Sequence, residues 1–264
     1  MRRLIYIICV MALIACEKEI TIDYHGHDTR YVVEATIDGS STEVRVSKTN
    51  AMDDNSTRSD VSNATVKITA DDGNTFYVPF VRNGYYRSGL KGVAGTTYQL
   101  DVEVDGHHFT STSTMQRKPK INEFKLVWKK MLTERYLFGD LRLQDISNES
   151  NWYFMHIYRN GLGYRWAVMK DDKNPNKELQ QLFTFFRDGE GGSDVLREGD
   201  ALRIVVRAID QRAYDYLYSM QQMSNTGTNP IDNFTGGCLG YFSAHSEIEH
   251  NQMFRYTDVT EDDK

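Results

Sequence analysis

The chain has 264 residues and a formal net charge of −6, because 37 Asp and Glu residues outnumber 31 Lys and Arg residues. Nucleic-acid-binding proteins concentrate basic residues on one face, so this acidic balance argues against a nucleic-acid partner. Aromatic residues make up 12% of the chain, including 16 tyrosines, and this composition favours sheets over helical bundles.

The first sixteen residues predict a bacterial lipoprotein signal. Two arginines precede an apolar run over residues 4–14, which is shorter than the roughly 20 residues that a membrane-spanning helix needs. Residues 13–16 read Leu-Ile-Ala-Cys, which resembles the lipobox, where the cysteine is lipidated after the preceding peptide is cut away. We therefore expect residues 1–15 to be a signal peptide and Cys16 to be the lipidation site. An ordinary signal peptide is the alternative.

Residues 16–29 predict a lipidated tether, because they are short, polar and charged and would lift the folded part off the membrane. Glu17 and Glu19 beside the lipid site loosely resemble the acidic signals that send some Bacteroidota lipoproteins to the cell surface. The alternative for these residues is an ordinary solvated linker. We expect an outer-membrane lipoprotein on the periplasmic or the cell-surface face, attached to the membrane by its N-terminal lipid.

Cys238 is the one cysteine left with a free thiol once the signal is removed and Cys16 is lipidated. No disulfide can then form within the mature chain, so its stability must come from a packed core. We expect Cys238 to be a small buried packing residue.

Residues 30–118 predict a small β-sandwich of the immunoglobulin or transthyretin kind. Apolar and polar residues alternate with a period of two in short segments that are separated by turns. Asp105 and Gly106 form the clearest turn, because tight hairpins prefer residues that accept positive φ. The strands are predicted over residues 31–37, 43–47, 65–69, 75–80, 98–104 and 108–114.

Residues 119–264 predict a second antiparallel β domain with one helix. The Lys-Pro-Lys stretch at 118–120 marks the boundary, since proline interrupts a strand ladder. Asp210 can cap the helix, and Gly227 can end it. The expected fold class is therefore mainly β, with an N-terminal sandwich followed by this second domain. Its strands are predicted over residues 124–129, 136–145, 152–159, 164–170, 179–186 and 202–209.

Four segments of the chain carry a resemblance to a known family. They are SNATVKIT at 62–69 with DGN at 72–74, GTTY through DG at 95–106, EGD through YDY at 198–216, and NPIDNF with GGCLGYF at 229–242. In this order they resemble the conserved blocks of domain-of-unknown-function family 4249, a set of Bacteroidota lipoproteins. The blocks cover nearly all of the mature chain.

The resemblance implies a cellular setting rather than a chemistry, because the family has no assigned activity. Its members are typically encoded beside TonB-dependent outer-membrane transporters, which implies an accessory role in nutrient or siderophore uptake. Cys238 stands where the family usually carries Ala, which favours packing over a reactive thiol. The prediction is a lipid-anchored accessory or binding protein of the cell envelope that is not an enzyme. The alternatives are a cell-envelope hydrolase and a surface adhesin or structural subunit.

The glycine-rich stretch near the C-terminus allows two interpretations. Its glycines permit close backbone approach, a bulge or positive φ, which would suit a closing strand wedged between neighbours. The functional interpretation is a partner-docking surface made by Gly236, Gly237, Tyr241 and Phe242, because aromatic anchors dominate many interfaces. We favour the structural interpretation and keep the docking surface as the alternative.

No catalytic residue, metal ligand set or cofactor is predicted. His25 and His27 lie in the tether without further ligands at metal-site spacing, and the adjacent His107 and His108 point to opposite faces of a strand. His156 is predicted on a sheet face or in the core. A hydrolase would instead gather two carboxylates, or a Ser or His with a base, in the second domain. An adhesin would present an exposed, unpaired strand edge.

Overall fold

The computed structural model describes residues 29–50, 59–131, 134–146, 148–171, 178–185 and 195–262. The signal peptide, Cys16 and most of the tether with its two histidines therefore lie outside the described residues. The described chain is mainly β, with an N-terminal β-sandwich, a second antiparallel β unit and one α-helix, as the sequence predicts.

Short strands separated by turns make up the first part of the chain, and longer strands make up the second. The first nine strands are β1 (Tyr31–Ile37), β2 (Thr42–Lys48), β3 (Ser59–Asp60), β4 (Thr65–Ala70), β5 (Thr75–Tyr77), β6 (Phe80–Arg82), β7 (Tyr85–Ser88), β8 (Thr97–Val104) and β9 (His107–Thr114). They are followed by β10 (Ile121–Met131), β11 (Glu134–Leu143), β12 (Trp152–Arg159), β13 (Leu162–Lys170), β14 (Leu179–Phe185) and β15 (Ala201–Ile209). The C-terminal elements are helix α1 (Gln211–Thr226), β16 (Leu239–Ala244), β17 (Ser246–Met253), a 3-10 helix (Tyr256–Asp258) and β18 (Thr260–Asp262).

Two sheets form the first sandwich. One sheet has the order β16-β1-β2-β7-β6 with β3 paired to β2, and the other has the order β5-β4-β8-β9. Side chains alternate across a strand, so β1 and β4 bury every second residue between the sheets. Val33, Val44, Ile68 and Leu100 are fully buried in this first core.

Residues 75–80 differ from the prediction, because they form two short strands instead of one. β5 ends at Tyr77 and β6 begins at Phe80, and the two strands belong to different sheets. Pro79 stands between them and has no N–H to donate to a ladder. The chain therefore crosses from one sheet to the other at this proline.

Two four-stranded sheets form the second sandwich. Their strand orders are β14-β11-β10-β18 and β13-β12-β15-β17. The side chains between them make a second core, in which Leu126, Leu141, Met155, Ile204 and Val206 are fully buried. Most of the strand pairs are antiparallel, and β10 pairs with β18 in parallel.

Helix α1 packs on the outer face of the β12-β15 sheet, where Ala213 and Leu217 are buried. Asp210 caps the helix by accepting a hydrogen bond from the Ala213 N–H at 2.9 Å, and Gly227 ends it at a φ of 65°, as predicted. The second carboxylate oxygen of Asp210 accepts from the Thr114 N–H at 2.8 Å, which ties the helix to the first sandwich.

Within the described residues, no helix combines the length and the apolar character that crossing a membrane requires.

The chain returns to the first sandwich near its end. β16 pairs in parallel with β1, so that Ala244 stands opposite Ile37, and Phe242 and Ala244 are fully buried in the first core. The sequence predicts one second domain over residues 119–264. β16 lies within this range but completes the first sandwich. Parallel strands need a long connection. Here the connection includes most of the second sandwich, which a short-range sequence pattern does not reveal.

On the edge of β16 that does not pair with β1, side chains accept the hydrogen bonds of the backbone N–H groups. The Phe242 N–H donates to Asn233 Oδ1 at 2.9 Å, and the Ala244 N–H donates to Ser113 Oγ at 2.8 Å. Ser111 also donates from its hydroxyl to Asn233 Oδ1 at 2.8 Å. Buried backbone donors are therefore satisfied without a second ladder, and β16 closes the gap between the two sheets.

Two glycines permit the close approach of this segment to its neighbours. A Cβ at Gly240 would overlap the carbonyl oxygen of Val33 in β1, and a Cβ at Gly236 would overlap that of His108 in β9. Both glycines also have positive φ, at 105° and 91°. The segment is the closing strand that the structural interpretation of the glycine-rich stretch predicts.

Replacing Gly240 by Ala should destabilise the protein far more than replacing Gly237 by Ala. Both glycines have positive φ, but a Cβ at Gly237 would meet nothing within 4 Å. Gly237→Ala should therefore cost only the backbone strain, about 1–2 kcal/mol. Gly240→Ala adds the overlap with Val33 and should cost about 3 kcal/mol or more. Urea denaturation measures both losses, and equal losses would contradict the close approach of β16 to β1.

Candidate functional site

A cavity of about 390 Å³ lies where the two sandwiches meet. The first sandwich contributes Thr36 and Asp38 near the end of β1, together with Tyr241 and Ser243 of β16. The second contributes the outer face of its β12-β15 sheet, the beginning of β17 and Leu217 of α1. The volume falls at the lower end of the range of about 300–1,000 Å³ that small-molecule sites occupy.

Aromatic side chains and an arginine form the wall that the second sandwich contributes. Phe154, His156 and Tyr158 alternate along β12 and so point to the same face, away from the second core. Arg207 stands opposite Phe154 in the register of β12 with β15. Its guanidinium carbon lies 5.5 Å from the centre of the Phe154 ring, a cation–π contact that stabilises the charge.

Arg207 keeps hydrogen-bonding capacity toward the cavity. Its side chain is 17% exposed, and its Nε lies 3.1 Å from Glu247 Oε2. The two terminal nitrogens donate no hydrogen bond to any residue that the structure describes. A planar guanidinium with open terminal nitrogens is suited to binding a carboxylate or phosphate through two parallel hydrogen bonds.

Ser243, His245 and Glu247 form a polar row along the cavity. They alternate over the stretch that joins β16 to β17, so their side chains point the same way. Ser243 Oγ lies 3.2 Å from His245 Nδ1, and His245 Nε2 lies 4.0 Å from Glu247 Oε2. The His245 N–H donates to the Ile37 carbonyl at 2.9 Å, which fixes the row against β1.

Asp38 supplies a negative charge from the first sandwich. Its Oδ1 accepts from the Ser40 N–H and hydroxyl, both at 2.6 Å, and from the Ser41 N–H at 2.9 Å. Its Oδ2 accepts no hydrogen bond from the described residues. Burial raises the pKa of Asp38, but these hydrogen bonds, together with the nearby His245, outweigh burial and hold the pKa below its usual value. The carboxylate is therefore ionised at neutral pH with one oxygen open.

Both histidines of the cavity are neutral at pH 7. Burial, reinforced by two nearby arginines, lowers the pKa of His156 from 6.5 to about 4. Burial and Arg207 also lower the pKa of His245 to about 4, while Asp38 acts in the opposite direction. The charged groups that remain are Arg207, Asp38 and Glu247, which together carry one net negative charge.

The structure separates the four residues of the predicted docking surface. Tyr241 lines the cavity, and its ring stacks on Tyr216 of α1 with the ring centres 5.3 Å apart. Phe242 points the other way and is fully buried in the first core, so it is not available to a partner of the folded chain. Gly236 and Gly237 are exposed and do not line the cavity.

Cys238 is buried in the first core, as the sequence predicts. Burial raises the pKa of its thiol to about 12, so the thiol is uncharged at neutral pH. Within the described residues, no group of three or more His, Cys, Asp or Glu side chains is placed to hold a metal ion. The lipidation site at Cys16 lies outside those residues.

Sequence reasoning placed His156 on a sheet face or in the core and named Tyr241 as a docking residue, but it missed the other polar and charged residues of this site. The Ser-x-His-x-Glu spacing at 243–247 was the available signal for the polar row, because a period of two puts all three side chains on one face. Asp38 and Arg207 carry no such local signal. They line the same cavity because the fold brings the two sandwiches together there, although the two residues are far apart in sequence.

His245 should make the folded state less stable as the pH falls below neutral. Its pKa is about 4 in the folded state and 6.5 when exposed, so the unfolded chain takes up the proton first. The stability should be full above pH 6.5 and should decline between pH 6.5 and pH 4, by up to about 3 kcal/mol. His245→Gln should give a shallower decline in urea denaturation over this window. An unchanged decline would contradict the burial of a neutral His245.

Solved structures and one family model are similar to this chain, and two of the structures illustrate the likeness. A segment of two fibronectin type III domains from chicken tenascin is 11% identical, with 86% of this chain and 100% of that one covered and a TM-score of 0.25. A DUF4785 family protein from Legionella pneumophila is also 11% identical, with 68% of this chain and 52% of that one covered and a TM-score of 0.26. No curated protein matches the chain. The model of the domain of unknown function DUF4249 matches residues 17–250, and the chain belongs to this family.

Proposed function

We propose that this chain is a lipid-anchored accessory or binding protein of the outer membrane. In this role it works with a TonB-dependent transporter in nutrient or siderophore uptake. The observation that carries the binding role is the cavity between the sandwiches, where Arg207 and Asp38 keep open hydrogen-bonding positions. Ligand sites often form between two units, because each unit contributes groups to the same concave surface.

The N-terminal sequence supports the lipid anchor. A basic start, a short apolar run and a cysteine after a small residue make up residues 1–16. The family match begins at residue 17, directly after Cys16, where a mature lipoprotein would continue. If residues 16–29 were fully extended, they would let the folded part move about 50 Å from its lipid.

Family membership supports the transporter partnership, because the resemblance implies genes that lie beside TonB-dependent transporters. An accessory protein tethered next to its transporter raises the local concentration of the ligand that it holds. Gly236 and Gly237 remain exposed candidates for the contact with the transporter. The cavity itself lies elsewhere on the chain, so one protein could engage the ligand and the transporter at the same time.

One observation favours the hydrolase alternative, namely the row of Ser243, His245 and Glu247. Three features of the row favour binding instead. A pKa of about 4 makes His245 a weak base at neutral pH, and its 4.0 Å separation from Glu247 is too long for a hydrogen bond. The N–H groups of Ala244 and His245 already donate to Ser113 and to the Ile37 carbonyl. They are therefore not free to stabilise an oxyanion.

Cys16→Ala should move the protein from the membrane fraction to the soluble fraction, because the variant has no thiol to carry the lipid. Cys238→Ala is the matched control, since it removes the buried thiol and should leave the protein in the membrane fraction. Cell fractionation followed by immunoblotting measures both variants. If Cys16→Ala still pellets with membranes after a salt wash, the lipid anchor is ruled out.

The tagged full chain, purified from native membranes in mild detergent, should bring a TonB-dependent transporter with it. We expect this because the chain and its transporter would be in direct contact, and the contact in a stable complex survives dilution. Mass spectrometry of the purified material identifies the transporter, and an unrelated tagged lipoprotein from the same membranes is the control. Recovery of the chain alone, under conditions that keep it folded, would count against the partnership.

A further inference from the structure

The lining of the cavity between the sandwiches carries both positive and negative charge, and we call Arg207 its positive end and Asp38 its negative end. Arg207 comes from β15 of the second sandwich, and Asp38 follows β1 of the first. His245 lies within electrostatic reach of both, because Arg207 lowers its pKa and Asp38 raises it. The two charges and His245 therefore line the same cavity.

Each charged end has capacity left for a ligand. The Nε of Arg207 faces Glu247, while its two terminal nitrogens donate to no described residue. Those nitrogens form a planar fork that matches a carboxylate. Three hydrogen bonds occupy the Oδ1 of Asp38, and its Oδ2 accepts none from the described residues. An ammonium group carries the donors that such an oxygen accepts.

Apolar side chains line the same cavity as these two charges. Phe154, Ile209 and Leu217 line the cavity from the second sandwich and from α1, and Tyr241 adds an aromatic ring from the first. Small-molecule sites combine such apolar walls with a few placed polar groups that orient the ligand. A ligand with an aliphatic or aromatic side chain would bury it here.

We infer that this cavity binds a zwitterionic ligand, an amino acid or dipeptide with an apolar side chain. The ligand carboxylate lies on the terminal nitrogens of Arg207, and its ammonium group lies on Asp38 Oδ2. The inference rests on the proposed binding function and names the class of its ligand. The volume of about 390 Å³ suits a ligand of this size.

The charges of the cavity lining distinguish a zwitterion from two other classes of ligand, anions and neutral polyols. An anion would meet a lining with one net negative charge, because Asp38 and Glu247 outnumber Arg207, and like charges in a partly dry cavity repel. A neutral polyol can donate to Asp38 and accept from Arg207, but it brings no counter-charge to either residue, so it gains none of the ion-pair attraction that a zwitterion gains at both. Only a zwitterion pairs with both ends at once.

The test measures binding of L-phenylalanine and of the dipeptide Gly-Phe to the full chain by isothermal titration calorimetry. The matched probes are phenethylamine, which lacks the carboxylate, and 3-phenylpropanoate, which lacks the ammonium group. At least one zwitterion should bind saturably, and each matched probe should bind on the order of ten- to a hundredfold more weakly than phenylalanine. D-glucose is the neutral polyol probe, and we expect no binding of it.

Variants of the chain then locate the site. Arg207→Gln should weaken zwitterion binding by about tenfold or more, whereas Arg203→Gln should leave it unchanged. Arg203 is the matched control, because it also lies on β15, stacks on an aromatic ring of β12 and pairs with a glutamate of β17, but does not line the cavity. Asp38→Asn provides a second variant, with the same expected loss, if Arg207→Gln is unstable. Thermal melting confirms that each variant is folded.

Three results would overturn the inference. They are saturable binding of glucose with none of either zwitterion, no binding of any probe by the folded chain, and equal losses in Arg207→Gln and Arg203→Gln. Each of them leaves the membrane fractionation and the co-purification of a transporter unaffected, so the inference can fail while the proposed function stands. Conversely, failure of the lipid anchor or transporter tests with intact zwitterion binding would count against the proposed function and leave the inference standing.

Discussion

The parallel pairing of β16 with β1 is the contact on which the rest of the structure depends. It brings two backbones so close that Gly240 has no room for a Cβ beside Val33. It also completes the first core, because Phe242 and Ala244 are fully buried there. The chain passes from the first sandwich to the second, back through α1 to β16, and then into β17 of the second. Three crossings therefore join the two sandwiches.

The cavity is a product of the last of these crossings. A single residue, His245, separates β16 of one sandwich from β17 of the other. The alternation of side chains continues across this joint, so Ser243 and Glu247 face the same side although they belong to different sheets. Arg207 reaches the joint through the pairing of β15 with β17, where it stands opposite Glu247. The site is therefore built by the connection between the sandwiches rather than by either one alone.

Local features of the fold could be read from the sequence, and long-range ones could not. The alternation in β1 and β12 and the capping of α1 by Asp210 depend on neighbouring residues, and the predictions of these elements are confirmed. The membership of β16 in the first sheet depends on a partner about two hundred residues away, and periodicity carries no information on such a pairing. For the same reason the sequence did not predict that Asp38 and Arg207 line one cavity, whereas the alternation placed His156 on a sheet face or in the core, and it lies on the outer face of its sheet.

The composition of the joint is itself an argument for a ligand. Partly buried charges and histidines held neutral by burial cost desolvation energy, and apolar residues of similar volume at such places often stabilise a protein as well or better. The same joint already contains apolar contacts, where Tyr241 stacks on Tyr216 and Leu217 is buried. Packing alone therefore does not require Arg207 and Asp38 to line the cavity. A ligand that pairs with both charges would offset the cost and stabilise the folded state by mass action, which gives the polar groups a function that packing does not explain.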